Sequence, residues 1–579
     1  MKRYMVLIES SGNQRYIFAT DKRRENVGSS DLIERVGRVW GHDAIERAEA
    51  HGYDVKTLIV AAGKILLHID DRGAARDIVR DVTLAALREA PGLDVAGVIR
   101  EFDADAPNGI SNSSRAVHRE FQDARARRPG PEHRFLQLPL VERCSSSGMP
   151  AARIVPVGGG PQPRSAASAA KLEAVLGGAY RRLAASIGVD EEALATRIVP
   201  WLASTQVDND YDDAEDDAPP QDDGDREHVE TDGDAVERAA WVAVVHADGN
   251  SLGEIFRTLD QPRDFSDAVD RCTHWAFERA VRETWGNPDN RMILPLVLGG
   301  DDLTVLCDGE RALDFAISYL RWFEGFASDA HEASEDAAAR LCIQEVVKKH
   351  TNGTSQRITA SAGIAIVKPH FPFASAHDLA SGLTKSAKSA KHYLGIPASS
   401  LDFHILYDSS ISELDAIRKR LHTGETLLTA KPYVVHSAAL ITTLNEEQRL
   451  WADRHDVEQL RRRVNLIETG RLATGQAALP SAQVQQLREA MFRGVADASE
   501  RFSILKARHG VSGVADLGDS HAADDRHPLY WEEPTIEAVT AGTSQSIRRT
   551  GALDAIDAVE FLSSDSASSS AAMAFEAAP

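Results

Sequence analysis

Two stretches of the chain repeat one order of apolar and polar runs. In the later stretch, WVAVVHAD (241–248) is an apolar run ending in an acid, the mark of a buried strand. Helical spacing follows from Phe265 to Trp285, and MILPLVLGGDDLTVLCD (292–308) predicts two short strands around a GGDD turn. A helix from Ala312 to Phe326, a strand at 357–367, a helix from Ala376 to His392 and a strand at 401–408 complete the set. This is a βαββαβ unit with an added helix and strand, expected as an antiparallel sheet with helices on one face.

The earlier stretch gives a weaker version of the same order. RYMVLIES (3–10) predicts a strand, Asp31 to His51 a helix, and VKTLIVAAGKILLHID (55–70) a hairpin. A helix from Gly73 to Ala90 and the strand LDVAGVIREF (93–102) follow. Aligning IVAAGKILLHID with LVLGGDDLTVLCD sets two hairpins in register, so Gly63-Lys64 stands where the second copy has Asp301-Asp302. The first copy has the shape without the acids, and it is expected to hold no catalytic metal.

The predicted fold class is therefore α+β, with two ferredoxin-like (βαββαβ) palm domains, the first degenerate, and a helical C-terminal domain. The boundaries are a first palm at 1–102, a mixed helical and loop insertion at 103–207, and an acidic linker at 208–234. A second palm at 235–408, a helical domain at 409–561 and a low-complexity tail at 562–579 complete them. The linker has fourteen acidic residues against one Arg, too little apolar surface to order itself. Its alternating carboxylates lack the Gly and terminal Glu of an EF-hand loop. The helical reading of the last domain rests on spacings of three and four over 473–508.

Charge and cysteine usage narrow the classes. The linker carries −13 of the formal charge of −23 over 579 residues, which argues against non-specific DNA binding. DARARRPGPEHR (123–134) is a basic patch, read as a helix end plus loop. No apolar run is long enough for a membrane span, and MKRYMVLIESSGNQ lacks a secretory pattern. Cys144, Cys272, Cys307 and Cys342 form no CxxC pair, so no zinc site is expected and a cytoplasmic location is.

The chemistry is expected at Asp248, on a strand end, and at Asp301 and Asp302, in a hairpin of the same sheet. Clustered carboxylates are costly unless protonated or bridged by cations. Two Mg²⁺ or Mn²⁺ ions on these acids can activate a hydroxyl and stabilise leaving pyrophosphate, with Asp301 and Asp302 as the catalytic pair. Gly299 and Gly300 let the backbone turn sharply and leave room for a triphosphate. GNSLG (249–253) also fits a nucleophile elbow at Ser251, but the strand order is wrong for a parallel hydrolase sheet. GGGP at 158–161 lacks the Lys-Ser/Thr of a phosphate loop.

VHADGNSLG (245–253), LVLGGDDLTVLCD (296–308) and TASAGIAIVKPHFPFASAHDLASGLTKSAK (359–388) resemble the second palm of the large polymerase-cyclase subunit of type III CRISPR effector complexes. GGDEF diguanylate cyclases are distant kin. Residues 8–37 resemble that family's degenerate first palm. The resemblance implies a cyclase that converts ATP to cyclic oligoadenylate in antiviral defence, gated by target RNA, with guide RNA and other effector subunits as partners. It places Asp248 as first metal ligand and Lys388 at the triphosphate, with Lys385 and Lys391 as competitors for that role. Gly249, Asn250 and Ser251 would offer backbone N–H groups to phosphate, or form a simple turn. Another NTP as substrate, a cyclic-dinucleotide product, and a non-catalytic nucleotide-binding scaffold are the competing readings. Three features depart from the family. His42-Asp43 stands without the ligand set of an HD nuclease, Cys144 stands alone where many members bind zinc, and the acidic linker intervenes.

Overall fold

The computed structural model describes residues 1–130, 133, 135, 138, 140–157, 160–202, 239–259, 262–328, 336–407, 413–435, 444–468, 479–509, 517–519 and 526–562. The acidic linker lies outside them, as does the tail from residue 563. The chain divides into two compact units. One comprises Met1–Ala240 with the short pieces Arg257–Ser266 and Pro372–Ala374; the other comprises Trp241–Phe256, Asp267–Phe371 and Ser375–Pro579.

The first unit is built on β1 (Lys2–Ser11), β2 (Val55–Ala61), β3 (Lys64–Ile69) and β4 (Asp94–Asp103), in the order β2-β3-β1-β4. All its pairings are antiparallel. Helix Arg23–Arg35 runs through a π-helical turn at Val36–Gly41 into helix His42–Ala50 and links β1 to β2. It begins eight residues before the expected Asp31, because Asn26 anchors the start by donating to the carbonyls of Ile17 and Thr20. Helix Arg72–Glu89 links β3 to β4. Helices cover both faces of this sheet rather than one. Met5 and Leu7 pack with Val117 and Phe121 of helix Gly109–Ala126, while Ile8, on the opposite face, lies beside Gly97 and Val79. The segment 103–207 also contributes a hairpin of β5 (Arg153–Val157) and β6 (Gly160–Arg164). Of the GGGP stretch, Gly160 and Pro161 open β6, and 158–159 lie outside the described residues.

The second unit holds a six-stranded sheet. Its strands are β7 (Val242–Gly249), β8 (Ile293–Gly299), β9 (Asp302–Asp308), β10 (Ala360–Val367), β11 (Ser400–Ile405) and a later strand at Tyr433–Val434. The order from the edge is β8-β9-β7-β10-β11, and the later strand closes the other edge beside β11. Every residue of β10 is buried, as expected of a strand covered on both faces. The chain passes from β10 to the parallel β11 through helices Phe373–Ala387 and Ala390–Leu394. Gly363 is where the first of these helices meets the sheet. A Cβ there would lie 2.1 Å from the Ala380 carbonyl oxygen and 2.3 Å from the Thr384 nitrogen.

Beyond residue 413 the structure differs from the expected helical domain. Helices Ser481–Arg493 and Val495–His509 do pack a core of Leu487, Met491, Phe502 and Leu505. The segment also forms a second sheet from β12 (His422–Thr423), β13 (Thr426–Leu427), β15 (Trp531–Pro534) and β16 (Ser546–Arg549), in the order β12-β13-β16-β15. Strands of two to four residues are too short to show alternation, so helical periodicity dominated the sequence pattern. The Tyr433–Val434 strand, β14, joins the palm sheet from beyond the expected boundary at 408. Among the described residues, no helix is long and apolar enough to cross a membrane.

Candidate active site

Strand register brings the acids together. The β7–β9 pairing sets Asp248 directly opposite Asp302, and the β8–β9 hairpin sets Gly299 opposite Asp302, leaving Gly300 and Asp301 in the turn. Gly300 has φ +60°, a left-handed conformation that favours glycine. One carboxylate oxygen from each of Asp248, Asp301 and Asp302 lies within 4.8 Å of the others. Gly249 makes this approach feasible, because a Cβ there would come within 2.9 Å of the Asp301 Cβ.

Two residues that the sequence reading missed hold the turn. Asp270 Oδ1 accepts the Gly300 N–H at 2.8 Å, and the Thr273 hydroxyl donates to the Gly300 carbonyl at 2.5 Å. Both lie on helix Arg263–Trp285, three residues apart and so on one face. In the sequence they are two among many polar positions of an amphipathic helix.

The electrostatics fit a cation site. Although Asp302 is exposed as a residue, protein atoms crowded around its carboxyl, followed by the charges of Asp301 and Asp248, push that carboxyl up to about 8, with Lys388 opposing. The Lys388 ammonium donates to Asp248 Oδ2 and, at 3.3 Å, to the Gly249 carbonyl. Lys388 is thus the lysine of the TKSAKSAK stretch that reaches the acids. Lys391 lines a small adjoining cleft with Asn250, Ser251 and Lys388, and Lys385 is exposed. The three carboxylates form an all-oxygen donor set that suits a hard divalent ion such as Mg²⁺ or Mn²⁺. Among the described residues, this trio is the group of His, Cys, Asp and Glu side chains with metal-binding geometry.

Asn250 departs from expectation. Its backbone N–H, expected to face phosphate, donates to the Thr359 carbonyl at 2.8 Å. Its side-chain amide donates to Thr359 Oγ1 and the Ala398 carbonyl, and its Oδ1 accepts from Ser361. Asn250 therefore ties the end of β7 to its neighbours and has no free donor for phosphate. Ser251 adopts φ +59° in the turn that follows. The strand leading to it has antiparallel neighbours on both sides, unlike the parallel sheet around a nucleophile elbow.

The first unit has the same register with different chemistry. Glu9 of β1 stands opposite Lys64, as Asp248 stands opposite Asp302, and Ala61 pairs with Lys64 as Gly299 pairs with Asp302. The Lys64 ammonium lies 3.9 Å from the Glu9 carboxylate. A pair that neutralises itself has no need of a bridging cation. Cys144 sits among the hydroxyls of Ser146 and Ser168 and the Ser147 N–H, and His42 faces Glu46 on the surface of its own helix.

These features define a palm-type domain with an acidic turn. Residues 241–393 match the family described as Cas10/Cmr2, second palm domain. The resemblance to the large polymerase-cyclase subunit of type III CRISPR complexes holds there. Among solved structures, the chain is similar to Csm1 of T. onnurineus at 12% identity and a TM-score of 0.47, over 96% of this chain and 68% of that one. It is similar to a Csm1–Csm4 cassette in complex with AMPPNP at 13% identity and a TM-score of 0.46, over 94% and 67%. For a type III-B Cmr-beta complex in its apo state the values are 10% and 0.46, over 88% and 77%. No curated protein sequence matches the chain.

Proposed function

We propose that the chain is a metal-dependent nucleotidyltransferase that condenses ATP into cyclic oligoadenylate, as the large subunit of a CRISPR-type antiviral effector. The observation that carries this reading is the convergence of Asp248, Asp301 and Asp302 with Lys388 inside a segment of the Cas10/Cmr2 palm family. In this reading Asp248, Asp301 and Asp302 hold two Mg²⁺ or Mn²⁺ ions. Such ions, when bound, supply Lewis acidity to the attacking ribose hydroxyl and to the departing pyrophosphate. Lys388 exchanges Asp248 for a triphosphate oxygen as nucleotide enters, so one ammonium serves both states. Gly299 and Gly300 leave the turn without side chains, and Asp270 and Thr273 hold it in place.

The two larger sheets are read as ferredoxin-like palms. The first is degenerate because Glu9 and Lys64 replace its acidic pair. Guide RNA and further effector subunits are the proposed partners. The substrate is tested by incubating the full chain with each of the four NTPs and Mn²⁺ and resolving products by mass spectrometry. Oligoadenylate from ATP, with the other three nucleotides left intact, is the expected result. A cyclic dinucleotide as sole product would replace this reading with that of a dinucleotide cyclase.

A further inference from the structure

A second pocket of the same unit, of about 460 Å³, shares no lining residue with the cleft beside Lys388. Its size falls in the range of about 300–1,000 Å³ typical of small-molecule sites. Three of its lining residues are cations, Arg418, Lys431 and Arg549, against one lining acid, the exposed Glu537. Each cation is fixed from behind by a buried carboxylate. Arg418 Nη2 donates to both oxygens of Asp402, Lys431 Nζ lies 3.3 Å from Asp554, and Arg549 Nε lies 2.6 Å from Glu533. Charges held this way are pre-organised and lose little side-chain freedom when a ligand arrives. Part of the Arg418 guanidinium side chain is exposed at the pocket, where an anion can meet it, and its buried Nη1 has no hydrogen-bond partner among the described residues. The imidazole of His404 registers the local field: burial, then the charges of Lys431 and Arg418, push it down to about 3.

The rest of the wall suits a planar, partly apolar group. Leu427, Pro432, Ile536 and Ile547 supply apolar surface, and Ser386 and Ser389 supply hydroxyls. Tyr393 lines the pocket and ends a stack of three rings. Its ring lies 4.6 Å from Trp451 at 7°, and Trp451 lies 4.1 Å from His455 at 14°. A flat heterocycle beside Tyr393 would meet an aromatic surface already braced from behind.

We infer that this pocket binds a free mononucleotide, its phosphate on Arg418 and its base against Tyr393 and the apolar wall. Ser386 and Ser389 bracket Lys388 along the chain, so occupancy here bears on the segment that carries the ammonium facing Asp248. Only that regulatory consequence rests on the proposed cyclase reading; the binding stands without it.

The test separates the two sites. Binding of a fluorescent N-methylanthraniloyl AMP is measured on the full chain carrying Asp301→Asn and Asp302→Asn, in EDTA, where metal-dependent binding at the palm is removed. Saturable binding should persist, AMP should displace the probe, and adenosine should compete at least about tenfold less well, as expected for loss of one charge-assisted contact. Ile547→Trp, which fills the pocket and leaves the buried ion pairs alone, and Arg418→Gln should each weaken binding about tenfold or more. Should Arg418→Gln fail to fold because Asp402 is left buried and unpaired, Ile547→Trp still decides. The inference is overturned by absence of metal-free binding, by undiminished binding in Ile547→Trp, or by adenosine competing as well as AMP. A 5′-phosphorylated trinucleotide RNA competing better than AMP would also overturn the assignment to a free mononucleotide.

Discussion

Asp302 faces Asp248 across a strand pair and adjoins Asp301, an arrangement that favours a proton whenever no cation is present. With its carboxyl raised to about 8 from the ordinary 3.8, the folded chain holds the proton more tightly than the unfolded chain does. The sign follows: for metal-free protein, stability falls as pH rises from about 4 towards 8, the interval between the two values. Melting temperature in EDTA should therefore drop between pH 6 and 8, and the drop should shrink in Asp302→Asn. An equal drop in both proteins would remove Asp302 as its source. Gly249 permits a different residue-scale test. In Gly249→Ala the new methyl meets Asp301, and overpacking of about 1–3 kcal/mol at the turn should raise the Mn²⁺ dissociation constant about tenfold. Titration followed by electron paramagnetic resonance measures it, and unchanged affinity would show that the turn accommodates the methyl without moving Asp301.

At the scale of elements, the site depends on a helix lying close against β10. Gly363→Ala would drive a Cβ into the backbone of Ala380 and Thr384, neither of which can rotate away. Helix Phe373–Ala387 must then lift, carrying Lys388 from Asp248. A destabilisation of about 3 kcal/mol, several degrees in melting temperature, is expected together with weaker nucleotide binding. Wild-type melting in this variant would contradict the close packing. Much of this level was legible beforehand, since the apolar runs flanking Gly299–Asp302 are long enough to specify strands and the turn lies between them. The opposition of Asp248 and Asp302 was expected only as proximity, because register depends on pairings between segments far apart in sequence. For the same reason Glu9 went unnoticed as the partner of Lys64. Asp270 and Thr273 were hidden because a helix face that clamps a turn reads, in sequence, like any polar pair on an amphipathic helix.

For the whole molecule, the order of strands and helices read from the sequence recurs in both units. After residue 413, where helices alone are expected, two- to four-residue strands interrupt them. Those short strands matter, because Leu427 and Ile547 from them line the second pocket. The candidate site lies wholly within the second unit, and the self-neutralising Glu9–Lys64 pair within the first. This division predicts that metal binding follows the acids of the second unit alone. Mn²⁺ should raise the melting temperature of the wild-type chain and leave that of the Asp248→Asn, Asp301→Asn, Asp302→Asn variant unchanged, as expected for a ligand that binds only the folded site. A retained shift in the triple variant would place the ion elsewhere.

The most direct test of the central claim compares the wild-type chain with Asp301→Asn, Asp302→Asn. Both are incubated with ATP and Mn²⁺, and adenylate products are quantified by mass spectrometry alongside circular dichroism to confirm folding. Pyrophosphate and oligoadenylate are expected from the wild type, and a loss of at least about a hundredfold in the variant, in keeping with removal of metal-based catalysis. Equal product from a folded variant, or intact ATP with wild-type protein that demonstrably binds Mn²⁺, would contradict it.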